Sequence, residues 1–230
     1  MKGIPAIVES ILKGRFSMLL ASLALLFLIS PLIPGDQTVA DKIFGLVMLV
    51  VLISCIRAIS QTRRFFIFMV VFTCVNVLMG SYELLSTSEP AFFEALLLGV
   101  RIVYFITVFF SIMQYVLDSS AVTFDKICGA ISAYMVMGIG WSIVYTLFYH
   151  LNALSFNIPA ALLSTETVNS TWAIYFSFTT LTTLGYGDIT PQTPAIQSYA
   201  IMQAACGQVF LTVIVARLVA LQIVHAGDRK

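Results

Sequence analysis

The sequence is poor in charge. Of its 230 residues, 12 are Lys or Arg and 11 are Asp or Glu, so charged side chains make up 10% of the chain and the net charge is +1. Soluble domains carry about a quarter charged residues, and so few cannot cover an aqueous surface. A soluble globular domain and a disordered tail are therefore excluded, and the small net charge argues against a nucleic-acid partner. Cysteine is scarce too: Cys55, Cys74, Cys128 and Cys206 all sit inside apolar stretches, where a thiol behaves as a small hydrophobe. No CxxC pair or Cys/His cluster occurs, so neither a disulfide framework nor a zinc site is expected. No nucleophile–base pair lies within the apolar stretches, so an enzyme is not expected, nor any bound cofactor.

What the sequence does have is apolar length. Hydrophobic residues make up 60% of it and the mean hydropathy is +0.99. One helical crossing of a bilayer takes roughly 20 apolar residues, which leaves room for about six or seven crossings and little else. The charges mark their borders. Span one lies between Arg15 and Asp36 and ends at the Pro31, Pro34, Gly35 breaker. It has no clear small-x-small cleavage site before Pro31, so it reads as a retained span and not a leader. Span two runs from Lys42 to about Ser60, with Arg57 snorkelling to the interface. Span three covers Phe65 to Tyr82, and span four lies between Glu94 and Asp118 with Arg101 inside it. Span five runs from about Ile127 to His150, and span six from about Ala195 to Val224.

The uncharged stretch from Thr167 to Gly187 is long enough to cross once, yet its composition is wrong. Ser170, Thr171, Ser177, Thr179, Thr180, Thr182 and Thr183 make up half of residues 170–183, and Gly-Tyr-Gly follows. Irregular backbone survives at membrane depth only when buried in protein or lining a watery path. A re-entrant segment is the better reading, and the distribution of positive charge supports it. With six spans, Lys2, Lys13, Arg15, Arg57, Arg63, Arg64, Lys126, Arg217, Arg229 and Lys230 all lie on the cytoplasmic side. A seventh span would move the basic C-terminus outside. The sequence thus predicts an all-α multi-pass protein of the plasma membrane, or the inner membrane of a bacterial cell, with both termini cytoplasmic.

Residues 1–15 form the first predicted region. Ile4, Ile7, Val8, Ile11 and Leu12 fall on one helical stripe beside Lys2, Lys13 and Arg15, which suits a helix lying on the lipid surface. A plain cytosolic extension of span one is the alternative. Residues 16–117 then hold four spans, 118–126 a short cytoplasmic linker, and 127–230 the last two spans with the re-entrant segment between them.

The stretch Thr182-Thr183-Leu184-Gly185-Tyr186-Gly187-Asp188 resembles the pore signature of potassium channels, with Leu184 where Val or Ile is usual. The resemblance extends over roughly residues 126–225. It implies a tetrameric pore made with three further copies of the chain, K+ as the permeating ion, and a short pore helix over Trp172–Thr182 capped by Asn169 or Ser170. In that filter, stacked carbonyl rings replace the hydration shell of the ion. Here those oxygens would come from Thr183, Leu184, Gly185 and Tyr186, plus the Thr183 hydroxyl. Successive carbonyls point one way only if alternate residues adopt backbone angles that disfavour side chains, which Gly185 and Gly187 permit. Tyr186 would brace the strand, and Asp188 would hold the mouth or concentrate cations. Thr179, Thr182 and Tyr175 are the candidate supports. Relatives carry two Trp at the positions of Tyr175 and Phe176, and some carry Glu at that of Thr179, so their filter bracing and slow inactivation do not transfer directly. Gly207 matches the hinge glycine of inner helices, with close helix packing as the alternative. Gln203, Gln208 and Thr212 are polar positions on the same span, expected in part to line a cavity.

The function so implied is passive, potassium-selective conduction. A less selective cation channel and a non-conducting regulatory subunit are the rivals. Spans one to four resemble a voltage-sensor domain without its gating arginines, since span four has Arg101 alone while positions 98, 104 and 107 are Leu, Tyr and Thr. Arg101 reads as a packing or lipid-phosphate contact, or as a partner of Glu94 or Glu83. Gating is left to the membrane, the filter, pH through His150 or His225, or a separate regulatory subunit. One charge crossing the full field contributes about 2.3 kcal/mol per 100 mV. A shallow conductance–voltage curve is therefore expected in planar bilayers, and a curve as steep as those of arginine-rich channels would contradict this reading of span four.

Overall fold

The computed structural model describes residues 14–29, 50–51, 53–55, 63–85, 91–159 and 171–227. Its elements are α1 (Arg15–Ile29), α2 (Arg63–Leu85), α3 (Ala91–Val116), α4 (Phe124–Leu151), a 3-10 turn (Ala153–Ser155), β1 (Phe156–Asn157), α5 (Thr171–Leu181), β2 (Thr190–Pro191) and α6 (Pro194–Gly227). Among the described residues, three helical stretches are long and apolar enough to cross a membrane: Ala95–Val116, Phe124–Leu151 and Pro194–Val224. The apolar parts of α1 and α2 are shorter, Arg15–Leu28 and Ile67–Leu78. Most of the second expected span and of the interfacial helix over residues 1–15, together with Asn169 and Ser170, lies outside the described residues. The protein is a mostly helical membrane protein.

Two compact units share the chain, one from Met1–Leu78 and Val108–Met135, the other from Met79–Thr107 and Val136–Lys230. In the first, Phe16, Leu19, Leu23 and Leu26 of α1 are buried at helical spacing. Phe16 stacks on Tyr115 with ring centroids 4.6 Å apart. The start of α1 has no side chain of its own to cap it, because Gly14 precedes it. The carboxylate of Asp125, from the first turn of α4, takes over that role: its Oδ1 accepts the amides of Phe16 at 2.9 Å and Ser17 at 3.1 Å. A Cβ on residue 14 would lie 2.5 Å from that oxygen, so the glycine makes room for the carboxylate. One anion thus faces the positive ends of two helices.

Within the expected linker over 118–126, residues 118–123 lie between the helices α3 and α4. α4 already begins at Phe124, where Thr123 Oγ1 accepts the Lys126 amide at 3.2 Å as an N-cap. Lys126, expected on the cytoplasmic side, is 1% exposed. Its ammonium donates to the carbonyls of Asp118 at 2.6 Å and Ser120 at 2.9 Å and to Ser120 Oγ at 3.2 Å. The linker folds over the lysine because three oxygens replace the water that the ammonium loses on burial.

The second unit is built on aromatic packing. Tyr145 of α4, Phe156 of β1, and Trp172 and Phe176 of α5 form its buried cluster. Tyr145 meets Phe176 edge-on at 4.9 Å, and Phe156 meets Trp172 at 5.1 Å and Phe176 at 5.4 Å. Each such pair adds about 0.5–1.5 kcal/mol beyond simple burial. β1 pairs antiparallel with β2, and the Gln192 amide donates to Ser155 O at 2.8 Å. The segment following α4 is thereby stitched to the segment entering α6, with α5 held behind both.

Losing an N-cap costs about 0.5–2 kcal/mol. Asp125→Ala is therefore expected to lower the thermal midpoint in detergent, and Asp125→Asn, which keeps an acceptor oxygen, to retain most of it. Equal midpoints for wild type and the alanine variant would contradict the capping role.

Candidate functional site

The Ser/Thr-rich segment folds as the helix α5 followed by an extended strand, and the join between them is specific. The amide of Leu184 donates to Thr179 O at 2.8 Å and that of Thr183 to Thr180 O at 3.0 Å. This is the paired 6→1 and 5→2 pattern of a Schellman cap, which needs a left-handed residue at the position Thr183 occupies. Thr183 indeed has φ 60. Glycine normally fills such a place. A β-branched residue there is a strained outlier that stores roughly 1–3 kcal/mol. Gly185 amide also donates to Thr179 O, at 3.1 Å, so one carbonyl gathers two amides of the strand.

The left-handed hand then recurs at alternate residues: Thr183 at φ 60, Gly185 at 53 and Gly187 at 82, with Leu184 and Tyr186 between them outside that region. Alternating hand turns successive carbonyls toward one side. The amides of Leu184 and Gly185 point back into α5, and no hydrogen bond from a described residue reaches the carbonyl oxygens of Thr183, Leu184, Gly185 or Tyr186. Residues 182–188 are exposed in the single chain, Tyr186 at 68%. The strand therefore presents a row of unpaired carbonyl oxygens beside apolar helices.

Support for the strand comes from residues whose exact partners the motif does not reveal. Tyr175 lies parallel to Tyr186, with ring centroids 6.4 Å apart and planes within 5°. Its hydroxyl donates to Asp188 Oδ2 at 2.7 Å, and the backbone amide of Ile189 donates to Oδ1 at 3.0 Å. These bonds, the tyrosine's first, hold the Asp188 carboxyl below its ordinary value of 3.8. One tyrosine thus reaches both the ring of Tyr186 and the acid beyond the strand. Thr179 and Thr182 turn their hydroxyls inward, donating to Phe176 O at 3.0 Å and Phe178 O at 2.7 Å. The Thr183 hydroxyl takes part in no such bond among the described residues.

On α6 the three polar positions divide. Gln203 does not line a cavity: it is fully buried, bonded to Ser177 of α5 and Tyr145 of α4. Its neighbours Gln208 and Thr212 are exposed, and Thr212 Oγ1 spends its hydroxyl on Gln208 O at 2.9 Å. Gly207 sits within an unbroken helix at a close approach, since a Cβ there would collide with the carbonyl oxygen of Leu181. Gly207 thus makes a close packing contact in this structure. Arg101 is half-buried on α3, while the side chains of Glu83, Glu94 and His225 lie outside the described residues. The α5 helix starts and ends one residue before the Trp172–Thr182 expected for it.

Residues 135–222 match a family model described as an ion channel. This part of the chain is similar to an ion-channel module. The matched span contains α5, the alternating strand and nearly all of α6, and so includes every residue of the strand. The similarity is to a family that moves ions. No curated protein and no solved structure gives a match.

The lowered Asp188 carboxyl carries a sign. Its bond to Tyr175 is present above the ordinary carboxylate range and is lost only as pH falls through the depressed value. Tyr175→Phe removes the leading cause, so Asp188 then titrates at higher pH. Acidification is expected to reduce ion flux through Tyr175→Phe at a pH where wild type is unaffected. Identical acid sensitivities would show that the bond does not organise the strand.

Proposed function

We propose that four copies of this chain surround one axis and conduct K+ selectively through residues 183–186. The observation that carries the reading is the alternation of hand at Thr183, Gly185 and Gly187, with the carbonyls it leaves unpaired. In hydrocarbon, each unsatisfied backbone group costs several kcal/mol. A single strand cannot stand there alone. Symmetry-related strands could enclose a path in which the same oxygens coordinate dehydrated cations. The exposed apolar side chains of α6, among them Val209, Val213 and Val219, offer the surface along which copies pack.

In this reading α4 is the outer helix, α5 the re-entrant pore helix and α6 the inner helix of a pore domain over residues 127–230. The C-terminal end of α5 points its negative pole at the path, favouring a cation there. Residues 16–117 form the peripheral helices in a six-span arrangement with cytoplasmic termini, residues 118–126 link them to the pore domain, and the first 15 residues lie on the lipid surface. The membrane is the plasma membrane, or the inner membrane of a bacterial cell. Lipid and the other three copies are the partners. With Arg101 the lone charge of span four, opening depends weakly or not at all on voltage.

Purified chain in liposomes is expected to pass K+ down its gradient, and Gly185→Asp, which forces a side chain and a charge into a left-handed position at the strand, to abolish the flux. Undiminished flux in that variant would refute the assignment of the strand. Comparable Na+ flux would favour a less selective cation channel, and no flux from wild type a non-conducting subunit.

A further inference from the structure

The buried polar cluster between α4, α5 and α6 has no part in the ion path itself. Gln203 Nε2 donates to the Ser177 carbonyl at 3.0 Å and lies 2.8 Å from Ser177 Oγ, while its Oε1 accepts the Tyr145 hydroxyl at 2.6 Å. Ser177 Oγ in turn donates to Gly138 O at 2.6 Å. All the donors have acceptors, and the amide has one sensible orientation. Reversed, it would set Oε1 against the Ser177 carbonyl, acceptor against acceptor. Gln203 is the buried polar side chain of α6 among its described residues, on a helix that is otherwise apolar along its packed face. A leucine would fill the same place with less desolvation, so the amide contributes something other than burial.

Its placement indicates what. One turn further along both helices, Gly207 meets Leu181, where the backbone of α6 comes so close to the Leu181 carbonyl that no Cβ fits. Residues 203 and 207 of α6 therefore meet 177 and 181 of α5, a hydrogen-bonded contact followed by a steric one at the same i, i+4 spacing. α5 passes without any intervening loop into the Schellman cap at Thr183 and the alternating strand. Any shift of α5 along α6 would carry the carbonyls of residues 183–186 with it.

We propose that Gln203 is a positioning residue for ion selection: its bonds to Ser177 and Tyr145 fix the height of α5 against α6 and α4, and thereby the spacing of the carbonyl row. The inference rests on the conduction reading of residues 183–186. Gly207 is the second point of the same lock, so movement of α6 that leaves the strand undisturbed is confined to the part of the helix beyond it.

Three variants of the full chain test this in liposomes: Gln203→Leu, Gln203→Glu and Tyr145→Phe. Gln203→Leu keeps the volume and removes every bond, and a loss of at least tenfold in the K+/Na+ permeability ratio is expected. Tyr145→Phe removes one bond of the set and is expected to lose less. Gln203→Glu adds a readout that simple packing would not move. As a neutral acid it retains a donor for the Ser177 carbonyl and an acceptor for Tyr145, the titratable side chain that touches it. As a carboxylate it sets only acceptors against that carbonyl. Its selectivity is therefore expected to approach wild type at pH 5 and to fall at pH 9, while wild type is flat between them. Should Gln203→Leu fail to assemble, the pH series of Gln203→Glu decides. Wild-type selectivity in Gln203→Glu at both pH values would overturn the proposal. Amide hydrogen exchange separates it from the functional reading, because it needs no conduction. Exchange at Leu184 and Gly185 at least tenfold faster in Gln203→Leu than in wild type, in a wild type that passes no ions, would keep the positioning role and refute conduction. Unchanged exchange at both amides would overturn the positioning role whether or not ions pass.

Discussion

One carbonyl oxygen organises the centre of this protein. Thr179 O accepts the amides of both Leu184 and Gly185, and it can do so only because the chain reverses hand at Thr183. The reversal is unfavourable for a β-branched residue, so it persists only where the surroundings over-determine it. The second unit supplies those surroundings: the cluster of Tyr145, Phe156, Trp172 and Phe176 behind α5, the β1–β2 pair after the strand, and the Tyr175–Asp188 bond across it. A glycine at 183 would relieve the strain and would lose the hydroxyl. The use of threonine is understandable if that hydroxyl is one more oxygen for a passing cation.

The scarcity of charge takes on a different meaning once the described charges are placed. Asp125 caps a helix that is not its own, Lys126 gathers the linker around its ammonium, and Asp188 ties the end of the strand to Tyr175. With so few ions available, these three serve as fixed internal links and not as a solvated coat. Two lie in the first unit and one in the second, and each makes several hydrogen bonds; for Lys126, buried at 1% exposure, those bonds replace lost water.

Much of this was legible in the sequence because it is local. The helical stretches lie between charged residues, and the need for residues tolerant of a left-handed backbone at 185 and 187 follows from the Gly-Tyr-Gly spacing. What sequence reasoning missed depends on contacts between distant segments. Nothing local tells that Lys126 folds inward, since a lysine at a span end usually marks solvent. Sequence does not say which of Gln203, Gln208 and Thr212 faces a cavity, and only the positions of Ser177 and Tyr145 show that Gln203 faces protein. The motif marks Thr183 for its oxygen but not for its backbone hand, because threonine is rarely left-handed. The Schellman pattern was available as a signal: a helix running straight into an alternating strand needs a left-handed residue at its end. Tyr175 was named as a support without its partner, because sequence does not say that one phenol reaches both Tyr186 and Asp188.

In the proposed function, the carbonyl row of residues 183–186 exchanges the water shell of K+ for protein oxygens and serves Na+ less well. The reversal potential of the reconstituted wild-type chain, with K+ on one side of a planar bilayer and an equal concentration of Na+ on the other, tests it most directly. The expected reversal potential is displaced far from zero, in the direction that a K+-selective membrane sets. A reversal at zero would contradict it.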